Sequence, residues 1–262
     1  MSPRASAAPP QPPFVTRKAL PKKPKQVGSG VALEYIRRLE ETYPDAKCSL
    51  DYRNPYELVV ATILSAQCTD VRVNMVTPDL FARFPDPAAL ANAEPEDLEN
   101  RIKSTGFFRN KTKSLLGMAR AVVDTHRGEI PRTMDELTHL PGIGRKTANV
   151  VLGNAFGLNE GVVVDTHVTR VSFRLGLTRE TDAVKIEQDL IEVVPREKWT
   201  LFSHLLIFHG RAICVARRPL CESCPLWDLC PSSLVVPVTS GKGTADGRRR
   251  PQKTPPRESD SA

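Results

Sequence analysis

The sequence predicts an all-α protein, and three observations carry that prediction. Apolar residues recur at helical spacing in successive segments between Val31 and Cys214. Helix-start signals stand where such segments begin, as at Asn54-Pro55 and Thr69-Asp70. No convincing alternating strand appears, because the run Gly161–Val164 is too short to carry a sheet. A chain of 262 residues can bury a good core and divide into two small lobes.

Residues 1–30 hold seven prolines, six Lys/Arg and no acid, without periodicity, and are expected to form a disordered basic arm. Val31–Tyr43 has helical spacing of Leu33, Ile36 and Leu39, and Pro44 ends it. Asn54 caps a helix with Pro55 at its first position, and Tyr56–Gln67 is apolar nearly all round, so this helix is expected to be central and buried. Thr69 or Asp70 caps the next helix, running to about Phe84, which Pro78 is expected to kink or divide. Helices follow over Pro87–Asn92, Pro95–Ser104 and Asn110–His126, with Gly106-Phe107-Phe108 as a loop between the last two. Met134–Leu140 and Arg145–Phe156 form a hairpin, and Thr166–Leu175, Asp182–Val194 and Lys198–Cys214 complete the set. Beyond Val236 the chain returns to Gly, Lys, Arg, Pro and Ser, and residues 237–262 are expected to be a disordered tail.

The formal charge of +7 suggests a nucleic-acid partner, but its distribution matters more. The first 30 residues carry +6 and residues 238–262 carry +3, which leaves the rest near −2. Within that near-neutral core, residues 101–150 hold ten Lys/Arg against four acids. A basic face is therefore expected, not a uniformly basic protein. No apolar run approaches the roughly 20 residues of a membrane span, and the N-terminus lacks an apolar signal region, so a cytoplasmic protein is the expectation.

Four of the six cysteines, Cys214, Cys221, Cys224 and Cys230, form a C-x6-C-x2-C-x5-C array. In a reducing cytosol such clustering points to metal ligation before disulfides. Four thiolates suit tetrahedral zinc or an iron–sulfur cube, and spacing alone leaves both open. Cys48 and Cys68 stand outside the array.

The stretch Leu140–His167 carries the candidate chemistry. Pro141 and Gly142 stop one helix, and Gly144 is expected to permit the tight turn that starts the next. Gly142, Ile143 and Gly144 would direct backbone N–H groups at a DNA phosphate, a contact that positions a duplex without reading it. Lys146 falls in the first turn of the second helix, where the alternatives are a nucleophilic amine and a phosphate-binding lysine. Asp165 ends a short extended run before Thr166; it reads either as a helix cap or as a carboxylate for the same chemistry, and the two are compatible.

The array, the hairpin and Val164-Asp165-Thr166-His167 together resemble the endonuclease III family, the bifunctional glycosylase/AP lyase branch of the helix-hairpin-helix superfamily. Leu64-Ser65-Ala66-Gln67 with Thr69-Asp70, and Phe208-His209-Gly210-Arg211, belong to the same match, which runs from about Val31 to Cys230. The resemblance implies a six-helix barrel over residues 48–158 and an iron–sulfur lobe joining 31–47 to 159–236, with double-stranded DNA in the cleft between them. It implies a 4Fe-4S cluster on Cys214, Cys221, Cys224 and Cys230. It implies Lys146 as Schiff-base nucleophile and Asp165 as its partner, in removal of oxidised pyrimidines and strand cleavage 3′ to the abasic site. A neutral amine is needed for attack, so partial burial, the helix dipole and the neighbouring Arg145 are expected to favour the uncharged form, with Asp165 opposing them. Gln67 is expected in the space left by the flipped nucleotide. The second wedge position maps to Phe107, where the family commonly has Leu, and His167 maps to a histidine near the DNA. A monomer is expected, on DNA carrying damaged bases or abasic sites. The related adenine-removing branch shares the cysteine pattern but lacks a lysine at position 146 and carries a further C-terminal domain. A DNA-binding module without catalysis is the alternative of another class.

Overall fold

A computed structural model of the chain describes residues 14–17 and 19–237. Eleven α-helices are present among them: α1 Ser29–Thr42, α2 Pro55–Leu64, α3 Asp70–Arg83, α4 Pro87–Ala91, α5 Pro95–Ile102, α6 Phe108–His126, α7 Met134–His139, α8 Arg145–Phe156, α9 Thr166–Arg174, α10 Ala183–Val193 and α11 Trp199–Ala212. The all-α expectation holds. Helix positions follow the apolar periodicity, and the starts follow the caps. Asn54 Oδ1 accepts from Glu57 N at 2.9 Å with Pro55 at the first position. Thr69 Oγ1 accepts from Arg72 N at 3.3 Å.

Four details depart from the sequence expectations. In α1 the buried stripe is Ala32, Tyr35, Ile36 and Leu39, and Leu33 is exposed. Helix α3 runs through Pro78 undivided. Helix α2 stops at Leu64, three residues before Gln67, whose φ of 53° lies outside the helical region. Phe108 opens α6 instead of lying in a loop.

The expectation of a wholly disordered arm to residue 30 fails in its second half. β1 (Phe14–Thr16) pairs antiparallel with β2 (Val235–Pro237), Phe14 opposite Pro237. Val27 N–H donates to Gly176 O at 3.0 Å, and α1 begins at Ser29. Backbone pairing of these ends could not be read from a Pro/Lys-rich composition, because the partner lies more than 200 residues away. Residues 1–13 and the tail from 238 lie outside the described residues.

Two hydrophobic cores organise the helices. The first is built from α2 to α8, around the almost fully buried α2, and holds Leu58, Leu64, Leu80, Leu98, Ile102, Leu115 and Leu152. The second joins α1 to α9, α10 and α11 and the cysteine segment, and holds Tyr35, Leu39, Val168, Leu190, Phe202 and Leu226. The groups stay together across their boundary through polar contacts: His204 Nε2 meets Asn154 Oδ1 at 2.7 Å, and Arg211 Nη2 donates to Asp70 Oδ2 at 2.8 Å. Among the described residues no helix is long and apolar enough to cross a membrane.

Candidate active site and DNA-facing surface

The hairpin rests on α6. Gly142 has φ 80°, and a Cβ there would lie 2.6 Å from Ser114 Cβ, so both backbone and packing require glycine. A Cβ on Gly117 of α6 would press on Pro141 at 3.0 Å, so small residues on α6 let the turn lie close. Gly144 differs from expectation. Its φ of −95° and ψ of 174° are ordinary extended backbone, and a Cβ there would meet nothing within 4 Å. Its missing side chain leaves open space in front of the first turn of α8, where N–H groups have no intrahelical acceptor. Ile143 also departs from expectation. Its N–H is taken by Leu140 O at 3.1 Å and its side chain is buried, so it anchors the turn and does not offer its amide outward.

Lys146 and Asp165 line one open cleft together with Gln67, Asp70, Thr147, Val163, His204 and Arg211. The cleft holds roughly 290 Å³, the lower end of the ~300–1,000 Å³ typical of small-molecule sites, and so suits one nucleoside. Asp165 is brought there by the buried run Val162–Val164, fixed where Ser203 Oγ accepts from Val163 N at 2.9 Å. Asp165 caps α9, Oδ1 accepting from Val168 N at 2.8 Å. That leaves Oδ2 without a partner among the described residues. The exposed Lys146 side chain makes no hydrogen bond or ion pair among the described residues, so its amine is not locked to Asp165. Arg211 Nη2 donates to Asp70 Oδ2 at 2.8 Å and Nη1 to Ser49 Oγ at 3.1 Å, which ties α11 to the start of α3 across this cleft.

Arg145 does not stand free beside Lys146. It makes a two-pronged ion pair with the buried Glu187 of α10, at 2.8 and 3.0 Å, and Glu187 also accepts from Asn149 Nδ2 at 2.9 Å. The Glu187 carboxylate raises the Arg145 guanidinium above its usual range and largely cancels its charge as seen from the cleft. His167 lies outside the cleft lining. Its Nδ1 meets Arg170 Nη2 at 3.1 Å, Arg170 donates to Gly210 O and Cys214 O, and the His167 ring lies against Gly210, so His167 sits where α9 packs on α11. Burial lowers its imidazole below the ordinary value, against the pull of Asp165.

Gln67 and Phe107 share an uncommon backbone. Among the described residues only three non-glycine positions have positive φ: Gln67 (53°), Phe107 (49°) and Arg127 (55°). Phe107 is also 61% exposed, a large apolar ring held out from the surface. Left-handed backbone at non-glycine residues persists only where surroundings enforce it, and it concentrates at functional positions. The composition of this stretch gave no sign of it.

Cys214, Cys221, Cys224 and Cys230 line a single apolar cavity with Arg174, His209 and Trp227. No group of three or more Cys, His, Asp or Glu among the described residues is placed to hold a single ion. Zinc would need all four sulfurs about 2.3 Å from one point. A 4Fe-4S cube takes one thiolate at each corner and so accepts sulfurs standing further apart around a larger body. Burial pushes the Cys230 thiol up to about 12 and the Cys224 thiol higher still, so thiolates in this cavity require a cationic centre. Arg174 Nη1 donates to Cys214 Sγ at 3.4 Å and Leu226 N to Cys224 Sγ at 3.4 Å, contacts that suit sulfurs carrying negative charge. The donor set fits an iron–sulfur cluster.

Comparison with known proteins agrees with this geometry. The model of the HhH-GPD superfamily of base excision DNA repair proteins matches residues 60–196. That of the iron–sulfur binding domain of endonuclease III matches residues 214–230. The chain is 56% identical to endonuclease III of Synechocystis sp. over 202 residues, covering 77% of this chain and 92% of the relative. It is 40% identical to endonuclease III of Escherichia coli, covering 76% and 93%. The structure of a trapped endonuclease III–DNA covalent intermediate superposes with a TM-score of 0.74 at 43% identity, over 78% of this chain and 96% of that one. A thermostable thymine-DNA glycosylase gives 0.68 at 26% identity, over 77% and 94%.

Proposed function

This chain belongs to the endonuclease III family, and we propose that it is a bifunctional DNA glycosylase and AP lyase of base excision repair, acting as a monomer on oxidised pyrimidines and abasic sites in duplex DNA. The observation that carries this reading is the placing of Lys146 and Asp165 on one nucleoside-sized cleft, with Gln67 at its edge. A base inside a duplex cannot reach such a cleft without extrusion. DNA would lie between the lobes, residues 48–158 on one side and 31–47 with 159–236 on the other.

The residues divide the work as follows. The Gly142 turn and the first-turn amides of α8 face a phosphate, with Gly144 leaving room for close approach. Gln67 and Phe107 fill the gap left by the extruded nucleotide. The Lys146 amine attacks C1′ as the glycosidic bond breaks and its electron pair leaves with the base. The second oxygen of Asp165 faces the positive charge developing at the sugar and takes up the proton that Lys146 sheds. Opening of the sugar ring gives an iminium between Nζ and C1′. Loss of a C2′ proton then expels the 3′ phosphate by β-elimination, and water releases the lysine. Arg145, held by Glu187, fixes α8 against α10 instead of serving as a free phosphate contact. Cys214, Cys221, Cys224 and Cys230 hold the 4Fe-4S cluster, which when bound closes a segment too short for its own core.

Borohydride reduction during incubation with abasic duplex tests this reading. Wild type should become covalently joined to DNA and Lys146→Gln should not. Trapping of Lys146→Gln at the wild-type level removes the nucleophile assignment. Binding without any trapping by wild type makes the chain a DNA-binding module.

A further inference from the structure

Lys111 has no place in the reaction described above, yet it is among the most buried charged residues of the protein, 5% exposed within the first core. Burying an amine is costly unless its donors are satisfied. Here no carboxylate answers it. Nζ donates instead to two main-chain carbonyls, Leu64 O at 2.7 Å and Thr105 O at 2.8 Å. Leu64 is the last residue of α2, and Thr105 ends the 3-10 turn that follows α5. Both carbonyls stand at helix ends, where acceptors lack intrahelical donors and the helix dipole favours a positive charge.

The two acceptors are the roots of two different loops. Three residues beyond Leu64 stands Gln67, and two beyond Thr105 stands Phe107, both with left-handed backbone. Lys111 N–H also donates to Phe107 O at 3.1 Å. One residue thus holds a carbonyl two or three residues ahead of each wedge and the carbonyl of one wedge itself. No other side chain among the described residues is hydrogen-bonded to both loops.

Resting on the function proposed above, we propose that Lys111 is a positioning residue for nucleotide extrusion: it sets the spacing of the Gln67 and Phe107 loops so that both enter the duplex together. Without its two hydrogen bonds no side-chain hydrogen bond among the described residues ties one loop to the other. Misplacing a group by about 1 Å at a reacting site can cost about 10²-fold in rate. The chemistry at Lys146 lies on other elements and does not depend on the clamp.

The test compares Lys111→Met, which keeps the length and removes the donors, with wild type on two substrates. One is an abasic site in duplex DNA; the other is the same abasic site in a single strand, where nothing need be displaced. Single-turnover borohydride trapping on duplex should fall about 10²-fold, and trapping on the single strand should stay within about twofold of wild type. In a Gln67→Ala/Phe107→Ala background, Lys111→Met should add no further loss on duplex. An equal loss on both substrates, a duplex rate like wild type, or an additive loss in the wedge-deleted background each overturn the inference. Should Lys111→Met not fold, Lys111→Gln, which can reach only one carbonyl, supports the same comparison. If wild type traps on neither substrate, it is the glycosylase/lyase reading that fails and not the clamp alone.

Discussion

Gly142 and Gly144 flank the same turn residue, and the structure assigns them opposite sensitivities. At Gly142 an alanine would sit at φ 80° with its Cβ 2.6 Å from Ser114 Cβ and 2.8 Å from Ser114 Oγ. The left-handed backbone costs an L-residue about 1–2 kcal/mol. The forced overlap adds about 1–3 kcal/mol, because Ser114 Cβ is fixed to α6 and only the hydroxyl can rotate away. Gly142→Ala should therefore destabilise by about 3 kcal/mol, which at 2–4 °C per kcal/mol for a chain of this size lowers Tm by about 10 °C. Ser114→Gly in the same chain should recover the packing part, less the about 0.5–1 kcal/mol that a glycine inside α6 costs, and leave the backbone part. At Gly144 the backbone is extended and the space ahead is open. There the poorer capping by alanine and the stiffer unfolded chain oppose each other and cancel to within about 0.5 kcal/mol. A methyl group at Gly144 stands where a phosphate must approach, so affinity for abasic duplex should fall about tenfold, about 1.4 kcal/mol. Thermal melts monitored at 222 nm and fluorescence anisotropy at fixed salt measure the two effects. A Gly142→Ala protein melting within 2 °C of wild type (about 0.5–1 kcal/mol), or a Gly144→Ala protein with intact affinity, would refute the reasoning.

Two further outcomes are expected. Burial holds the His204 imidazole at about 4, against an ordinary value of 6.5. It stays neutral in the folded chain while the unfolded chain takes up a proton, so stability present above pH 6.5 is lost as pH falls towards 4. Between pH 6.5 and 5 the loss is about 1.6 kcal/mol. Burial lowers the His209 imidazole to about 4 as well, so urea midpoints should fall by more than the His204 share in wild type and less steeply in His204→Gln; equal slopes would remove His204 as a cause. Iron analysis of anaerobically purified protein should give about four irons per chain with a yellow-brown colour, and Cys224→Ser should lose most of both. A colourless wild type loaded with zinc would overturn the cluster assignment.

Some of the site is legible in the sequence alone. Lys146 in the first turn of α8 and Asp165 before Thr166 follow from local rules: a turn at Pro141-Gly142, a cap before a helix, an apolar run between. Asn54, Thr69 and Asp182 each announce their helices for the same reason. Lys111 gave a signal that could have been used. It is in helical phase with Leu115, Met118 and Val122, and a lysine on the apolar stripe of a helix needs a partner inside. Glu187, beside Ile186 and Leu190 on the buried face of α10, gave the same signal. Neither sequence position names its partner, and Arg145 looked like a free cation for that reason.

The sequence by itself determined the helices, their caps, the cysteine array and the family, because each depends on residues within a turn or two of one another or on spacing along the chain. Tertiary structure alone decided which groups meet. It occupied Arg145 with Glu187 and paired Phe14–Thr16 with Val235–Pro237. It also placed one buried amine at the roots of both wedge loops. The physical reason is that charge, burial and hydrogen-bond demand are settled by whatever packs alongside, and those partners lie 6 to more than 200 residues away along the chain.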